Sequence, residues 1–209
     1  MQPNSCRSKC NAPSKTQSSQ FSKKLSLSFS RGFSLIELMV TIAIAAIMIT
    51  IAVPSLGEFI TKMRVDNEVS QLNRLVLIAR NNAISMEQNV IVCPLVNGAC
   101  TNNWSNQLSA FIDVDNNGSY LRETDTLLKV KAATQTGDTV TYAGQNNIRF
   151  APTGRLANAP STFIFCPKSD STLSRAIVLS ISGGTYVTTD SNNDGKDEFR
   201  SGANVVGTC

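Results

Sequence analysis

The hydrophobic pattern changes character three times along the 209-residue chain. Residues 1–32 are rich in Ser, Lys, Asn and Gln, with too few large apolar side chains to build a core, and read as disordered. Residues 33–56, FSLIELMVTIAIAAIMITIAVPSL, then form an apolar run with one charge, Glu37. As a helix rising about 1.5 Å per residue this run reaches roughly 36 Å, enough to cross a hydrocarbon core of about 30 Å. Pro54 removes a backbone hydrogen bond near its end, so a kink or local loosening is expected there. Beyond it the apolar positions thin to Leu56, Phe59/Ile60, Met63, Val69, Leu72, Val76, Ala79, Ala83 and Met86. From Val69 onward the steps alternate between three and four, one face of a helix. Charged residues such as Lys62, Arg64, Asp66, Glu68, Arg74, Arg80 and Glu87 fill the other faces. The pattern predicts one long helix to about Gln88, whose second half buries its stripe against the strand-rich remainder of the chain.

From Asn89 the period falls to two. Candidate strands are Val90–Cys93, Leu108–Val114, Thr126–Lys131, Thr139–Ala143, Ile148–Ala151, Thr162–Cys166, Arg175–Ser182 and Thr185–Thr189. They are short, β-branched and separated by Gly, Asn, Asp and Pro turns. One long helix followed by regular short strands predicts an α+β fold, with the helix packed on an antiparallel sheet.

Charge sharpens this division. The arm before Phe33 carries Arg7, Lys9, Lys15, Lys23, Lys24 and Arg31 and no acid, whereas residues 33–209 hold thirteen basic and fifteen acidic side chains. The positive balance therefore belongs to the arm, and the remainder has no global attraction to nucleic acid. Basic residues before the apolar run place its N-terminus in the cytoplasm and the bulk of the chain on the far side. The chain has no histidine, which excludes Ser-His-Asp and Cys-His catalysis and most catalytic zinc sites. It also lacks the Gly-x-Ser-x-Gly, P-loop, dinucleotide-fingerprint and Cys-x-x-Cys motifs. These absences point away from an enzyme.

A cleaved secretory signal would need a shorter apolar run followed by a small-x-small site. Here the small residue precedes the run. Basic arm, Gly32, Phe33, apolar run and Glu37 together resemble the cleavage signal of type IV pilins and pseudopilins. That resemblance implies a cut between Gly32 and Phe33 by a prepilin peptidase, followed by N-methylation of Phe33. A carboxylate in a membrane helix costs on the order of 2.5–3.5 kcal/mol on insertion scales. The resemblance implies that Glu37, fifth in the mature chain, offsets this by pairing with the free amine of Phe33 in a neighbouring subunit. The other reading is that Glu37 snorkels to the nearby interface. For Pro54 the resemblance implies a bend that lets the helix pack into a filament.

Further along, WSNQLSAFIDVDNNG, LLKV, IRFAPTGRLANAPSTFIFC and RAIVLSISGGTYV, in that order, resemble the GspH/FimT family of minor pilins. The likeness runs from residue 33 to about 189. It implies a β-sandwich head on a pilin helix: a cleaved cytoplasmic leader 1–32, a transmembrane helix 33–57, its amphipathic continuation 58–88 and a periplasmic head 89–209. It further implies a single-pass inner-membrane subunit that joins a type IV pilus or type II secretion pseudopilus near its tip. The implied partners are other major or minor pilins or pseudopilins, the prepilin peptidase, the inner-membrane assembly platform and inner-membrane lipid.

Cys6 and Cys10 fall in the arm, leaving Cys93, Cys100, Cys166 and Cys209 on the oxidising side of the membrane. An even count there reads as two disulfides, and four cysteines allow three connectivities. The pairing expected is Cys93–Cys100, closing a short Pro/Gly loop, with Cys166–Cys209 tying down a polar tail. Two acidic loops carry alternating oxygen donors before a glycine: Asp113, Asp115 and Asn117 before Gly118, with Glu123 and Asp125 further on, and Asp190, Asn192 and Asp194 before Gly195, with Asp197 and Glu198 following. Such spacing suits Ca²⁺, yet the same residues also build hairpin turns. Neither loop has the closing bidentate glutamate; Thr124 and Ser201 stand in its place.

A binding module is the alternative function. Some FimT-type proteins bind DNA for natural transformation through a Gly-Arg-x-Arg motif at the last hairpin. Here Ser182-Gly183-Gly184-Thr185-Tyr186 occupies that stretch, without either arginine, and the tail beyond it is acidic. Arg149, Arg155, Lys168 and Arg175 remain as a weak basic group for nucleic acid, which is otherwise disfavoured as a partner.

Overall fold

Leu35–Met86 form one helix, α1, in the computed structural model, which describes residues 32–209. The leader expected over 1–32, apart from Gly32, and its cysteines Cys6 and Cys10 lie outside the described residues. The helix continues through Pro54. It stops where Glu87 turns to φ 53°, the left-handed geometry that ends many helices. By its contacts the chain divides between Ala45 and Ala46 into two compact units.

In the first unit α1 starts at Leu35 and offers apolar side chains such as Leu38, Met39 and Ile42, all exposed. In the second unit the exposed apolar stretch continues from Ile47 to Ile60, and Thr61 is the first buried position. From there the stripe Val65, Val69, Leu72, Leu75, Val76, Ala79 and Ala83 is buried. The three-four spacing thus locates the packed face, with Val65 and Leu75 added to it. Leu56, Phe59, Ile60 and Met63, which continue the pattern upstream, are exposed, and so is Met86 at the other end (55% exposed).

The strands are β1 (Val90–Val96), β2 (Ala99–Cys100), β3 (Leu108–Ile112), β4 (Thr126–Lys131), β5 (Thr139–Tyr142), β6 (Ile148–Phe150), β7 (Ser161–Cys166), β8 (Arg175–Leu179) and β9 (Thr185–Val187). All pair antiparallel, in two sheets. One has the order β2-β1-β3-β4, with β6 also on β1; the other runs β5-β7-β8-β9. The main core takes the α1 stripe together with Val90, Val92, Leu108, Ile148 and Phe150 from the first sheet and Val140, Phe163, Phe165, Ile177 and Leu179 from the second. Trp104 joins it, packed against Tyr142 and Phe163 with ring centroids 4.7 and 5.1 Å away. The molecule is therefore α+β, one long helix packed on antiparallel sheets.

Two strand limits differ from the sequence reading for identifiable reasons. β1 runs through Pro94 to Val96, because Pro94 keeps a useful carbonyl that accepts from the Thr101 amide at 2.9 Å. The two-residue loop Asn97-Gly98, with φ of 51° and 81°, then turns the chain into β2. β8 stops at Leu179 because Ser180 and Gly184 close a tight turn through a 2.9 Å backbone bond.

β1 is buried on both faces over Val90–Pro94. Ile91, Cys93 and Phe111 point away from α1's core into a satellite cluster covered by Tyr120. That is why β1 reads as a continuous apolar run instead of an alternating one.

Candidate functional site: the helix start, the head surface and the acidic loops

The helix begins two residues past Phe33. Ser34 caps it: its hydroxyl accepts from the Glu37 amide at 3.2 Å, and its carbonyl accepts from the Leu38 amide at 3.1 Å. Glu37 therefore sits in the first turn, where the positive end of the helix dipole favours an anion. The Ser34-x-x-Glu37 spacing is a capping-box signature, a signal in the sequence that marks this helix start independently of the apolar run. Gly32 and Phe33 precede the helix and are exposed.

On the head, several charged side chains that lie off the apolar face of α1 fasten it to the strand-rich part. Arg64 pairs with Asp138 at 3.1 Å, Glu68 with the buried Lys131 at 2.6 Å, and Asp66 with Arg175. Arg80 donates to the carbonyls of Gly154 (3.1 Å) and Ser182 (3.2 Å), while Asn73 accepts from Thr185 at 2.8 Å. A single sequence gives no signal for these partners, because the residues they join are 63 or more positions apart along the chain.

The four basic residues considered for nucleic acid do not sit together on one sheet. Arg149 lies on β6 of the first sheet, and its guanidinium pairs with the buried Asp113 at 2.8 Å. Arg175 opens β8 of the second sheet and is held between Asp66 and Asp197, the latter at 2.7 Å. Arg155 and Lys168 are exposed, in loops that follow β6 and β7. Two of the four charges are thus matched by carboxylates, which weakens their attraction for phosphate. The hairpin where the DNA-binding motif would lie, Ser182-Gly183-Gly184, is clamped by Arg80.

The cysteines join as Cys93–Cys100, across the β1–β2 hairpin, and Cys166–Cys209, linking the end of β7 to the last residue. Their Cα separations are 5.5 and 6.0 Å.

The acidic loops differ from each other. Asp113, Asp115 and Asp125 bring one carboxylate oxygen each within 4.8 Å of the others; Asn117 instead donates to Asp115 and caps the turn. Every one of these six carboxylate oxygens accepts from a protein donor. Gly118 and Arg149 serve Asp113, Asn117 serves Asp115, and the Val114 and Leu121 amides serve Asp125. Burial raises the Asp113 carboxyl above the ordinary aspartate range, against the lowering effects of the Gly118 amide and Arg149. In the second loop the grouped carboxylates are Asp190, Asp194 and Glu198. Asp197, expected beside Asp190, Asn192 and Asp194, turns to Arg175 instead.

A family model for the prokaryotic N-terminal methylation motif matches residues 27–53. A search of the curated proteins finds no match. Among solved structures, the type IV minor pilin FimU of Pseudomonas aeruginosa is similar at 17% identity, covering 63% of this chain and 92% of that one, with a TM-score of 0.48. The minor pseudopilin EpsH from the type 2 secretion system of Vibrio cholerae is similar at 14% identity, covering 59% and 95%, with a TM-score of 0.44. The family model for type II transport protein GspH matches residues 68–183, which is more than half of the chain and includes most of the strands and most of the packed part of α1. The chain therefore belongs to the type II transport protein GspH family.

Proposed function

We propose that this protein is a minor pilin or pseudopilin subunit, a structural component of a type IV pilus or type II secretion pseudopilus that acts by packing and performs no chemistry. The observation that carries this reading is the contrast within α1. Every described side chain from Phe33 to Ile60 is exposed, while the stripe from Val65 to Ala83 is the core of the head. An apolar surface of that length is stable only against lipid or against other helices. The methylation motif at its start supports both environments in succession, membrane first and filament afterwards.

In this reading a prepilin peptidase cuts between Gly32 and Phe33 and Phe33 is methylated. The helix crosses the inner membrane with the head in the periplasm. Glu37 pairs with the new amine of a neighbouring subunit, which sets the register as the subunit leaves the membrane for a position near the tip. Ser34 supports this role by fixing the first turn, so that Glu37 is carried on ordered backbone.

The test is processing in cells that express the cognate peptidase, read by mass spectrometry of the amino terminus. Wild-type protein is expected to begin at Phe33 and carry one methyl group. Gly32→Ala is expected to accumulate as uncut, membrane-bound precursor, and normal-sized mature protein from that variant would remove the signal assignment. Glu37→Ala is expected to be cut normally yet to be depleted from sheared filaments. Wild-type incorporation of that variant would end the pairing role while leaving the cut site intact.

A further inference from the structure

The loop after β9 carries oxygen-bearing side chains at alternate positions, Asp190, Asn192 and Asp194, then Glu198 four residues on. Asn193 and Gly195 adopt φ of 62° and 86°, which curls the loop so that these side chains converge. One oxygen from each of Asp190, Asp194 and Glu198 lies within 4.8 Å of the other two. Two oxygens that each sit about 2.4 Å from a shared calcium ion are at most about 4.8 Å apart, so the three carboxylates are close enough to hold one ion. Proximity alone does not make a site, since the Asp113 cluster meets the same condition.

One oxygen separates the two loops: all four of Asp190 and Asp194 accept from donors of their own loop, and Glu198 keeps one that does not. All six oxygens of the Asp113 cluster accept from protein donors, one of them from an arginine that already supplies the positive charge. In the second loop, Glu198 is only 6% exposed. Its Oε2 accepts from the amide and hydroxyl of Ser191, both at 2.8 Å. Its Oε1 is buried and accepts nothing. Among the described residues it is the only buried carboxylate oxygen with neither a hydrogen bond nor an ion pair, since the corresponding oxygens of Glu68 and Asp138 face Lys131 and Arg64. A buried anionic oxygen without a partner is strongly unfavourable unless a cation meets it. The nearby Arg175 does not serve, because it is occupied by Asp66 and Asp197.

We propose that Asp190, Asn192, Asp194 and Glu198 form a calcium site that fastens the C-terminal segment to the head. The ligand set is all oxygen and the spacing alternates, which suits the large and flexible coordination shell of Ca²⁺ better than the strict octahedron of Mg²⁺. Ser201 stands where a closing bidentate glutamate would be, so the affinity belongs to the weak range of extracellular modules, on the order of 0.1–1 mM. Glu198 bridges to both Thr189 and Asn204, so an ion on its carboxylate joins the end of the β8–β9 hairpin to the chain leading to Cys209.

The test is thermal unfolding of the full-length chain in detergent micelles, with disulfides intact, in EGTA and then in about 2 mM calcium or magnesium chloride. Calcium is expected to raise the midpoint by several degrees, more than magnesium does. Glu198→Gln is expected to lose that rise while melting in EGTA at or above the wild-type midpoint, because it removes the unpaired charge. Asp190→Asn, on the exposed rim, is expected to lose the rise as well and serves if the buried variant fails to fold. Asp115→Asn is expected to keep it. The proposal is overturned if wild type shows no calcium-specific rise, if Glu198→Gln and Asp190→Asn retain it, or if Asp115→Asn abolishes it.

Discussion

Gly183 shows how one residue decides what a hairpin can do. Its φ is 79°, and a Cβ there would lie 2.0 Å from the Gly154 carbonyl oxygen, which itself accepts from Arg80. Any side chain at Gly183 would push the turn away from α1 and break the Arg80 clamp. Gly183→Ala is expected to destabilise the head by about 1–3 kcal/mol from backbone strain alone, with the clash adding to it. Denaturant unfolding that shows no change in midpoint would mean that the hairpin is not held as described. The same geometry bears on the departure from Gly-Arg-x-Arg. The turn in this chain is built for close contact with its own helix, and the arginine nearest to it, Arg80, points its guanidinium at backbone carbonyls.

The two parts of α1 differ in what supports them. Leu75 is 2% exposed within the core, whereas Ile47 is 64% exposed. Leu75→Ala is expected to cost the head about 2–5 kcal/mol through lost transfer energy and a residual cavity. Ile47→Ala is expected to leave head stability unchanged and to affect only insertion or assembly. Equal effects of both on the melting of the head would contradict the division of the helix. This division is legible in the sequence because periodicity reports which face is buried, and the stripe from Val69 to Ala83 has the correct spacing. The upper limit of the packed region is not legible: Phe59, Ile60 and Met63 look like its continuation, and only the position of the sheets leaves them uncovered. Strand positions are largely readable from β-branched runs and turn residues. β2 escapes such a reading although Asn97-Gly98 announces a hairpin, because Pro94 reads as the end of the strand before it. At the acidic loops the spacing draws attention to the right segments, but whether Asp197 or Glu198 faces inward depends on Arg175, which is remote in sequence.

At the scale of the whole molecule, charge separates the assembly reading from the DNA-uptake alternative. Residues 58–209 carry thirteen basic and fourteen acidic side chains. Arg64, Lys131, Arg149 and Arg175 are each paired with carboxylates of the same chain. Binding to duplex DNA draws its strength from released counterions, so the logarithm of the affinity falls with the logarithm of salt by about 0.9 for each phosphate neutralised. Arg155 and Lys168 are the members of the proposed basic group left without such a pairing, and they follow strands of different sheets. They could contribute a slope of about −2 at most. The soluble head, about residues 58–209, is therefore expected to bind DNA weakly even at low salt and with that shallow dependence. A slope of about −3 or steeper would require either Arg149 or Arg175 to leave its carboxylate for phosphate, or cations outside this group, such as the exposed Arg74 and Lys129, to take part. In the first case Asp113→Asn and Asp197→Asn, which free those guanidiniums, should tighten binding further. Failure of both variants to do so would locate the contact elsewhere on the head, and a shallow slope would leave the assembly reading standing.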